Sequence, residues 1–260
     1  MKTIFKPTKT YGMLFMLCLI LTAIPFIKTN AAGTVEVYVL TSTEQKESDL
    51  KTTYSYNSKG LLSKSVSSSG TNTTNKYTYK NGLLTKSSSK NNYSTEKVTF
   101  SYDKKKRLVQ ENRVYVSGND VFKTKEVYFY NKKNQIIKSN YEEDGPEALA
   151  GVTVFSFSYD KKGHLAKSKS KYGISKYSYD AKGFLKKVTY GSSATTLKNT
   201  YKNGLLIRRV QSNKDEDYSA KVNFLYQYKK IKVPKSYVSL VKEQQNNILD
   251  LSVGGHSFTL

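Results

Sequence analysis

The chain has 260 residues, and 43 lysines and arginines against 20 acids leave it at a net charge of +23. Its 22 tyrosines and lack of tryptophan mean that the apolar surface is built largely from rings with a polar tip. One cysteine and two histidines exclude a disulfide framework and leave thin material for catalysis.

The first residues read as a secretory leader. Lys2, Lys6 and Lys9 precede the apolar run from Tyr11 to Ile27, and small residues follow at Ala31 and Ala32. Cleavage is expected after Ala31, with Ala32 the alternative, so residues 1–31 form a signal peptide. A retained anchor competes, but the run is shorter than the ~20 residues of a spanning helix and Pro25 interrupts it. No stable membrane span is then expected after cleavage. Cys18 lies within the run without the small residue that a lipidation site needs before it, and it leaves with the leader. Removing Lys2, Lys6, Lys9 and Lys28 leaves 39 basic and 20 acidic residues, a net +19.

Val35 to Thr41 reads as an opening strand, with Glu44 to Lys51 as its polar continuation or connection. From there to about residue 235 one phrase recurs, clearest at Tyr177-Ser178-Tyr179-Asp180-Ala181-Lys182-Gly183-Phe184-Leu185. Eight copies are anchored on the tyrosine before each turn: Tyr56, Tyr79, Tyr102, Tyr130, Tyr159, Tyr179, Tyr201 and Tyr226. The anchors lie 20 to 29 residues apart, the size of one supersecondary unit. An aromatic two residues before most anchors gives the period-two alternation of a strand with one apolar face.

An aliphatic residue follows each anchor. It comes six positions on at Leu62, Leu108, Ile136, Leu165 and Leu185, and five positions on at Leu84, Leu206 and Ile231. Asn57–Gly60, Asp160–Gly163 and Asp180–Gly183 read as type I turns closed by a left-handed residue, whereas Asn81-Gly82 and Asn203-Gly204 read as type I′ turns. Both geometries place each tyrosine opposite its aliphatic partner, so the two offsets preserve one register. Lys106 and Asn134 occupy the glycine position in the third and fourth copies, and the eighth copy lacks glycine and reads as a terminal version.

Tyr159-Asp160…Gly163…Leu165 and Tyr179-Asp180…Gly183…Leu185 resemble the YD repeats of RHS-type bacterial secreted and surface proteins, and weaker copies cover roughly residues 53–235. The resemblance implies hairpin arrays in an extracytoplasmic setting. Large members wrap such arrays into hollow shells around a toxin. This chain is expected to be too short for a closed shell of that kind, and no separate cargo domain is visible.

The expected fold is all-β, an antiparallel meander of about eight hairpin repeats and some sixteen strands. The sheet buries its Tyr/Leu face by curling, by folding into two layers or by half-closing. The expected organisation is a leader at 1–31, the array at 32–235 and a cap or tail at 236–260. Glu142 to Glu147 reads as a loop, Ser239 to Leu249 as a short helix, and Leu251 to Leu260 as a strand or cap.

No catalytic, cofactor or metal site is nominated. His164 and His256 are far apart, and His164 sits at a turn position that varies between copies, as a solvent-exposed variant would. Asp103, Asp160 and Asp180 occupy the first turn position, where Asp caps its own turn. The cluster from Glu142 to Glu147 lacks the alternating spacing of a calcium loop. Lysine in the turns is more suggestive: Lys104, Lys105, Lys106 and Arg107, then Lys132 and Lys133, Lys161 and Lys162, and Lys182. If successive tips align, they form a basic stripe suited to an anionic cell-envelope polymer or glycan, ahead of nucleic acid. The leading expectation is thus a secreted, non-enzymatic binding protein of the cell surface or matrix. A glycan hydrolase using a carboxylate pair and an assembly partner of toxin-carrying shells are the alternatives.

Overall fold

A computed structural model of the chain describes residues 33–68, 71–146, 151–215 and 219–251. The leader with Cys18, Ala31 and Ala32, the residues Glu147 and His256, and the strand or cap expected up to Leu260 lie outside them. Sixteen strands and a helix follow in chain order. They begin with β1 (Thr34–Gln45), β2 (Lys51–Tyr56), β3 (Leu62–Ser68), β4 (Thr73–Lys80) and β5 (Leu83–Lys90). Next come β6 (Ser94–Tyr102), β7 (Leu108–Ser117), β8 (Asp120–Tyr130), β9 (Ile136–Asp144) and β10 (Thr153–Tyr159). The last are β11 (Leu165–Ser170), β12 (Gly173–Tyr179), β13 (Leu185–Tyr190), β14 (Ser193–Lys202), β15 (Leu205–Lys214), β16 (Ser219–Pro234) and the helix α1 (Val238–Leu251).

Each strand pairs antiparallel with its neighbours in sequence, and β16 pairs with β1, so the meander is a closed barrel. This corrects the expected curled, two-layer or half-closed sheet, and closure needs no longer chain. Eleven residue pairs, from Thr34↔Pro234 to Gln45↔Phe224, join β1 to β16. A closed barrel leaves no unpaired edge, the cheapest solution for a sheet of this length. Glu142, Glu143 and Asp144, expected in a loop, extend β9 opposite Lys125, Thr124 and Lys123. The tail helix runs from Val238 to Leu251, slightly longer than the expected span.

Seven hairpins, numbered 1 (β2–β3) to 7 (β14–β15), carry the repeat. Their register sets Tyr56 opposite Leu62, Tyr79 opposite Leu84 and Tyr102 opposite Leu108. It also pairs Tyr130 with Ile136, Tyr159 with Leu165, Tyr179 with Leu185 and Tyr201 with Leu206. Backbone torsions account for the two offsets. Gly60, Lys106, Asn134, Gly163 and Gly183 each have φ between 61° and 89°, one left-handed residue per six-residue turn. Asn81-Gly82 and Asn203-Gly204 have both φ values positive, as type I′ turns require.

The eighth copy differs. β16 runs straight through Ile231, so Tyr226 lies opposite Thr43 and Ile231 opposite Val37. The anchor there is Tyr228, and its aliphatic partner is Leu40 of the opening strand. The barrel closes because the first strand supplies the missing half of the last repeat.

The inward face holds the core. Leu62, Leu84, Leu108, Ile136, Leu165, Leu185 and Leu206 are buried, whereas Ser55, Thr78, Ser101, Ser158 and Ser178 face outward. Helix α1 packs Val241, Ile248 and Leu249 against the inward residues of the closing seam. There the ladder between β1 and β2 is only three pairs long. Two glutamines of α1 add bonds beside it, Gln245 to β1 and β2 and Gln244 to β3 and β4. Gln244 Oε1 accepts from the Leu62 N–H and its Nε2 donates to the Tyr79 hydroxyl, both at 2.6 Å. Gln245 Oε1 accepts from the Leu40 N–H, also at 2.6 Å.

Candidate functional site

All seven hairpin turns lie at one rim of the barrel, since every connection from an even-numbered strand to the next odd-numbered one turns there and the remaining loops turn at the other. Within each hairpin the ladder runs up to the tip. Between hairpins it stops short, at Gln110↔Val127, Lys138↔Ser156 and Lys167↔Lys176, for example. The tips therefore stand apart, with a cleft between neighbours.

The anchor tyrosines bridge the clefts. Tyr102 donates its hydroxyl to the Leu84 carbonyl (2.8 Å), Tyr130 to Leu108 (2.6 Å), Tyr159 to Ile136 (2.7 Å) and Tyr228 to Leu206 (2.8 Å). Tyr56 does the same to Leu40 at 2.6 Å. Each bond crosses from one repeat to the aliphatic position of the preceding one, which explains why the anchor is tyrosine and not phenylalanine. Burial pushes the hydroxyl pKa of Tyr56, Tyr102, Tyr159 and Tyr228 well above the ordinary tyrosine value.

A second ladder lies deeper. The inward hydroxyl three residues after the aliphatic meets the next repeat's inner tyrosine at Thr43–Tyr54 (3.0 Å), Ser65–Tyr77 (3.4 Å) and Ser168–Tyr177 (3.1 Å). Hairpins 3, 6 and 7 depart from it with Glu111, Val188 and Arg209. Arg113 bonds Glu96 at 2.5 Å and Glu111 at 2.7 Å, and Glu126, opposite Glu111, accepts from Tyr128 at 2.9 Å. Arg209 donates to Asn199 at 2.8 Å and to the Leu249 carbonyl of α1 at 2.6 Å. Sequence reasoning named no carboxylate pair, and periodicity alone could have flagged Glu111 as a charge on an inward position. At 2% exposure Glu111 and Glu126 are closed to substrate, and Arg113 lies between the neighbouring carboxylates. Among the described residues no cluster of three or more metal-type ligands occurs.

The turn aspartates cap their own turns. Asp103, Asp160 and Asp180 each accept the N–H groups two and four residues on, at 2.8–3.1 Å. Burial opposes ionisation of Asp103, yet its bonds from Arg107 hold the carboxyl below its ordinary value. For Asp160 burial is likewise outweighed, here by bonds from His164.

The residue just before the aliphatic covers the next anchor ring. Arg107 lies 4.5 Å over Tyr130, His164 stacks on Tyr179 at 4.7 Å, and Phe184 tilts against Tyr201 at 5.7 Å. His164 is thus half-buried packing and not a free surface variant. Arg107 is also committed, bonding Asp103 at 2.6 Å and Asn134 at 3.2 Å.

The remaining candidate cations crowd the tip rim. Lys104, Lys105 and Lys106 crown hairpin 3, Lys132 and Lys133 hairpin 4, Lys161 and Lys162 hairpin 5, and Lys182 hairpin 6, all exposed. Lys182 reaches over the Tyr201 ring at 4.2 Å. Lys59, Lys80 and Lys202 continue the series on hairpins 1, 2 and 7. The opposite rim differs: among the described residues Lys46, Lys51, Lys90, Lys171 and Lys214 alternate with Glu47, Asp49, Asp120, Asp144 and Asp215. One end of the barrel is strongly positive and the other close to neutral. A groove of about 440 Å³ opens between the tips of hairpins 4 and 5.

No curated protein matches the sequence. Among solved structures, the barrel is similar to a porin-like protein from Bacteroides uniformis, at 13% identity and a TM-score of 0.49, covering 76% of this chain and 98% of that one. A family model described as Teneurin YD-shell matches residues 88–249, more than half of the 260-residue chain. The repeat, its turn register and this match agree, and the chain belongs to the Teneurin YD-shell family.

Proposed function

We propose that the protein is a secreted, non-enzymatic β-barrel that attaches to the cell surface or matrix by binding an anionic envelope polymer or glycan at its basic rim. The observation that carries this reading is the concentration of exposed lysine on the tips of seven consecutive hairpins. Closely spaced like charges raise the local potential and attract polyanions over a Debye length. The outer wall supports an aqueous setting: Lys64, Lys76, Lys86, Lys97, Lys176, Lys187 and Lys198 are exposed on the strands. Lysine at the lipid face of a membrane barrel costs about 2–4 kcal/mol at the midplane. The leader expected at residues 1–31 supports export.

Sedimentation of the mature protein with cell envelopes tests the reading. Raising salt from about 0.1 M to about 1 M shortens the screening length from about 10 Å to about 3 Å and should release the protein. Replacing Lys104, Lys105, Lys161 and Lys162 by glutamate should abolish retention at low salt, whereas glutamate at Lys90 and Lys171 of the other rim should not. Retention that ignores both salt and the tip substitutions overturns the proposal.

A further inference from the structure

The outer wall of the barrel carries a charge pattern of its own. Five consecutive strands each turn one basic side chain outward: Lys167 on β11, Lys176 on β12, Lys187 on β13, Lys198 on β14 and Arg208 on β15. Lys167 stands directly opposite Lys176, which sets their Cβ atoms about 5 Å apart. The register also puts Thr189 opposite Lys176, Thr196 opposite Lys187 and Val210 opposite Lys198. Lys187 is therefore the diagonal neighbour of Lys176, Lys198 of Lys187 and Arg208 of Lys198, each step about 7–8 Å. Lys167 is half-buried and the other four are exposed.

No acid on this wall balances them. Asp180 is the only acid between Leu165 and Lys214, and its carboxylate is committed to the Lys182 and Phe184 N–H groups and to Asn199 and Tyr201. Lysine on a strand commonly guards an open edge, but each of these strands is paired on both sides. A soluble surface intersperses both signs, as β8 and β9 do: Lys123 faces Asp144 at 4.0 Å and Lys125 faces Glu142 at 3.9 Å. Like charges in cross-strand register oppose the fold, and neither edge protection nor solubility accounts for this row.

We infer that the outer faces of β11–β15 form a track for a linear, base-free phosphodiester polymer of the glycerol-phosphate type, laid across the strands. Ser158 lies opposite Lys167, Ser178 and Thr196 flank Lys187, and Thr200 lies opposite Arg208. Cation and hydroxyl thus recur side by side, and a phosphate oxygen accepts hydrogen bonds from both. Arg208 also donates to Asn223 Oδ1 at 2.7 Å, and its guanidinium has further N–H groups to offer. The outward positions of these strands carry no aromatic ring, so a nucleobase or a pyranose face finds no stacking platform there. The track rests on the rim reading for the class of its polymer, since the tips of hairpins 5, 6 and 7 rise from the same strands.

Isothermal titration of the mature protein with a glycerol-phosphate oligomer, an oligothymidylate and an oligogalacturonate of matched charge, at several salt concentrations, tests the inference. Lys176→Gln combined with Lys187→Gln removes two phosphate contacts. It should lower the slope of log K against log salt for the glycerol-phosphate oligomer by about 1.5 and weaken its binding at least about tenfold. Lys123→Gln combined with Lys125→Gln removes the same charge from acid-paired positions and should change neither. The track variant should melt no lower than the parent, because it relieves repulsion; a lower melting temperature would make these lysines structural and overturn the track. Equal weakening by the two double variants, or none by the track variant, overturns the track and leaves the rim reading standing. Failure of all three polyanions to bind the parent at low salt overturns both. A loss of oligothymidylate or oligogalacturonate affinity as large as that of the glycerol-phosphate oligomer overturns the assignment to a base-free phosphodiester.

Discussion

The bridging tyrosines make a quantitative claim about stability that Tyr130→Phe tests. The substitution removes one oxygen, and with it the 2.6 Å bond to the carbonyl of Leu108, a residue with 0% exposure. The ring, its contact with Arg107 and the opposite Ile136 all remain. An intramolecular hydrogen bond contributes about 0.5–1.5 kcal/mol net, and an acceptor left buried without its partner costs about 1–3 kcal/mol. The expected loss is therefore about 1.5 kcal/mol, which for a domain of this size lowers Tm by roughly 3–6 °C. Tyr102→Phe removes the equivalent 2.8 Å bond to Leu84 and should cost a similar amount. Tyr102 and Tyr159 anchor hairpins two repeats apart, so their double substitution should be nearly additive. Tyr93→Phe is the control, because its ring is 71% exposed. Thermal melts followed by far-UV circular dichroism, with urea titrations at fixed temperature, give both quantities. If Tyr130→Phe melts within 1 °C of the parent, or Tyr93→Phe loses as much, the bridges do not hold the repeats together.

Phe157→Tyr should stabilise by about 1 kcal/mol, because it offers a hydroxyl to Ser139. That serine is 0% exposed and has no hydrogen-bond partner among the described residues, whereas its counterparts Ser65 and Ser168 meet a tyrosine. Urea midpoints of the parent and of the Ser139→Ala variant, which should be near neutral or stabilising, provide the comparison. Gly60→Ala and Gly204→Ala differ in space and not in torsion, with φ at 80° and 81°. A Cβ at Gly60 would meet Val233 Cγ1 at 2.4 Å, and at Gly204 nothing within 4 Å, so Gly60→Ala should melt several degrees below Gly204→Ala. In alkali, ten tyrosines have their hydroxyl pKa raised above the ordinary value, chiefly by burial, with Tyr54 and Tyr141 pushed to about 12. A raised folded-state pKa means full stability below about pH 10 and loss as pH climbs toward the folded value. Above about pH 10 the unfolded chain ionises its tyrosines while the folded barrel holds them neutral, so all ten oppose the fold together. Tyrosinate absorbance at 295 nm should then rise cooperatively with the loss of β signal near pH 11. Gradual, non-cooperative ionisation with the fold intact would refute this.

The sequence carries the local geometry of the barrel well and its closure poorly. Asp180-Ala181-Lys182-Gly183 and Asn203-Gly204 declare their turns because few residues tolerate positive φ, and the turns fix the Tyr–Leu register. The partner of β16 is some 190 residues away, at Leu40, and no turn residue announces it. A pattern anchored on turns therefore settles on Tyr226, where pairing selects Tyr228. The basic rim was legible because lysine recurs at turn positions. The role of Arg107, His164 and Phe184 was not legible, because covering the next anchor ring is a contact between repeats and leaves no trace in spacing.

The same bridges explain how one end of the barrel carries so much like charge. Neighbouring tips stand two strand spacings apart, about 10 Å. Two unit charges at that separation in water repel by about 0.4 kcal/mol, and physiological salt screens this further. Each junction between hairpins 2 and 5 holds a tyrosine bond to a core carbonyl, worth about 1 kcal/mol or more. The attraction sits below the tip and the repulsion at it, so the bond fixes the junction while exposed lysines such as Lys104 and Lys105 stay solvated. Barrel stability is thereby decoupled from what the turns display. The turn interior needs only its Asx cap and one left-handed residue, which leaves positions such as Lys104, Lys105, Lys132, Lys133, Lys161 and Lys162 open to selection by whatever the rim meets.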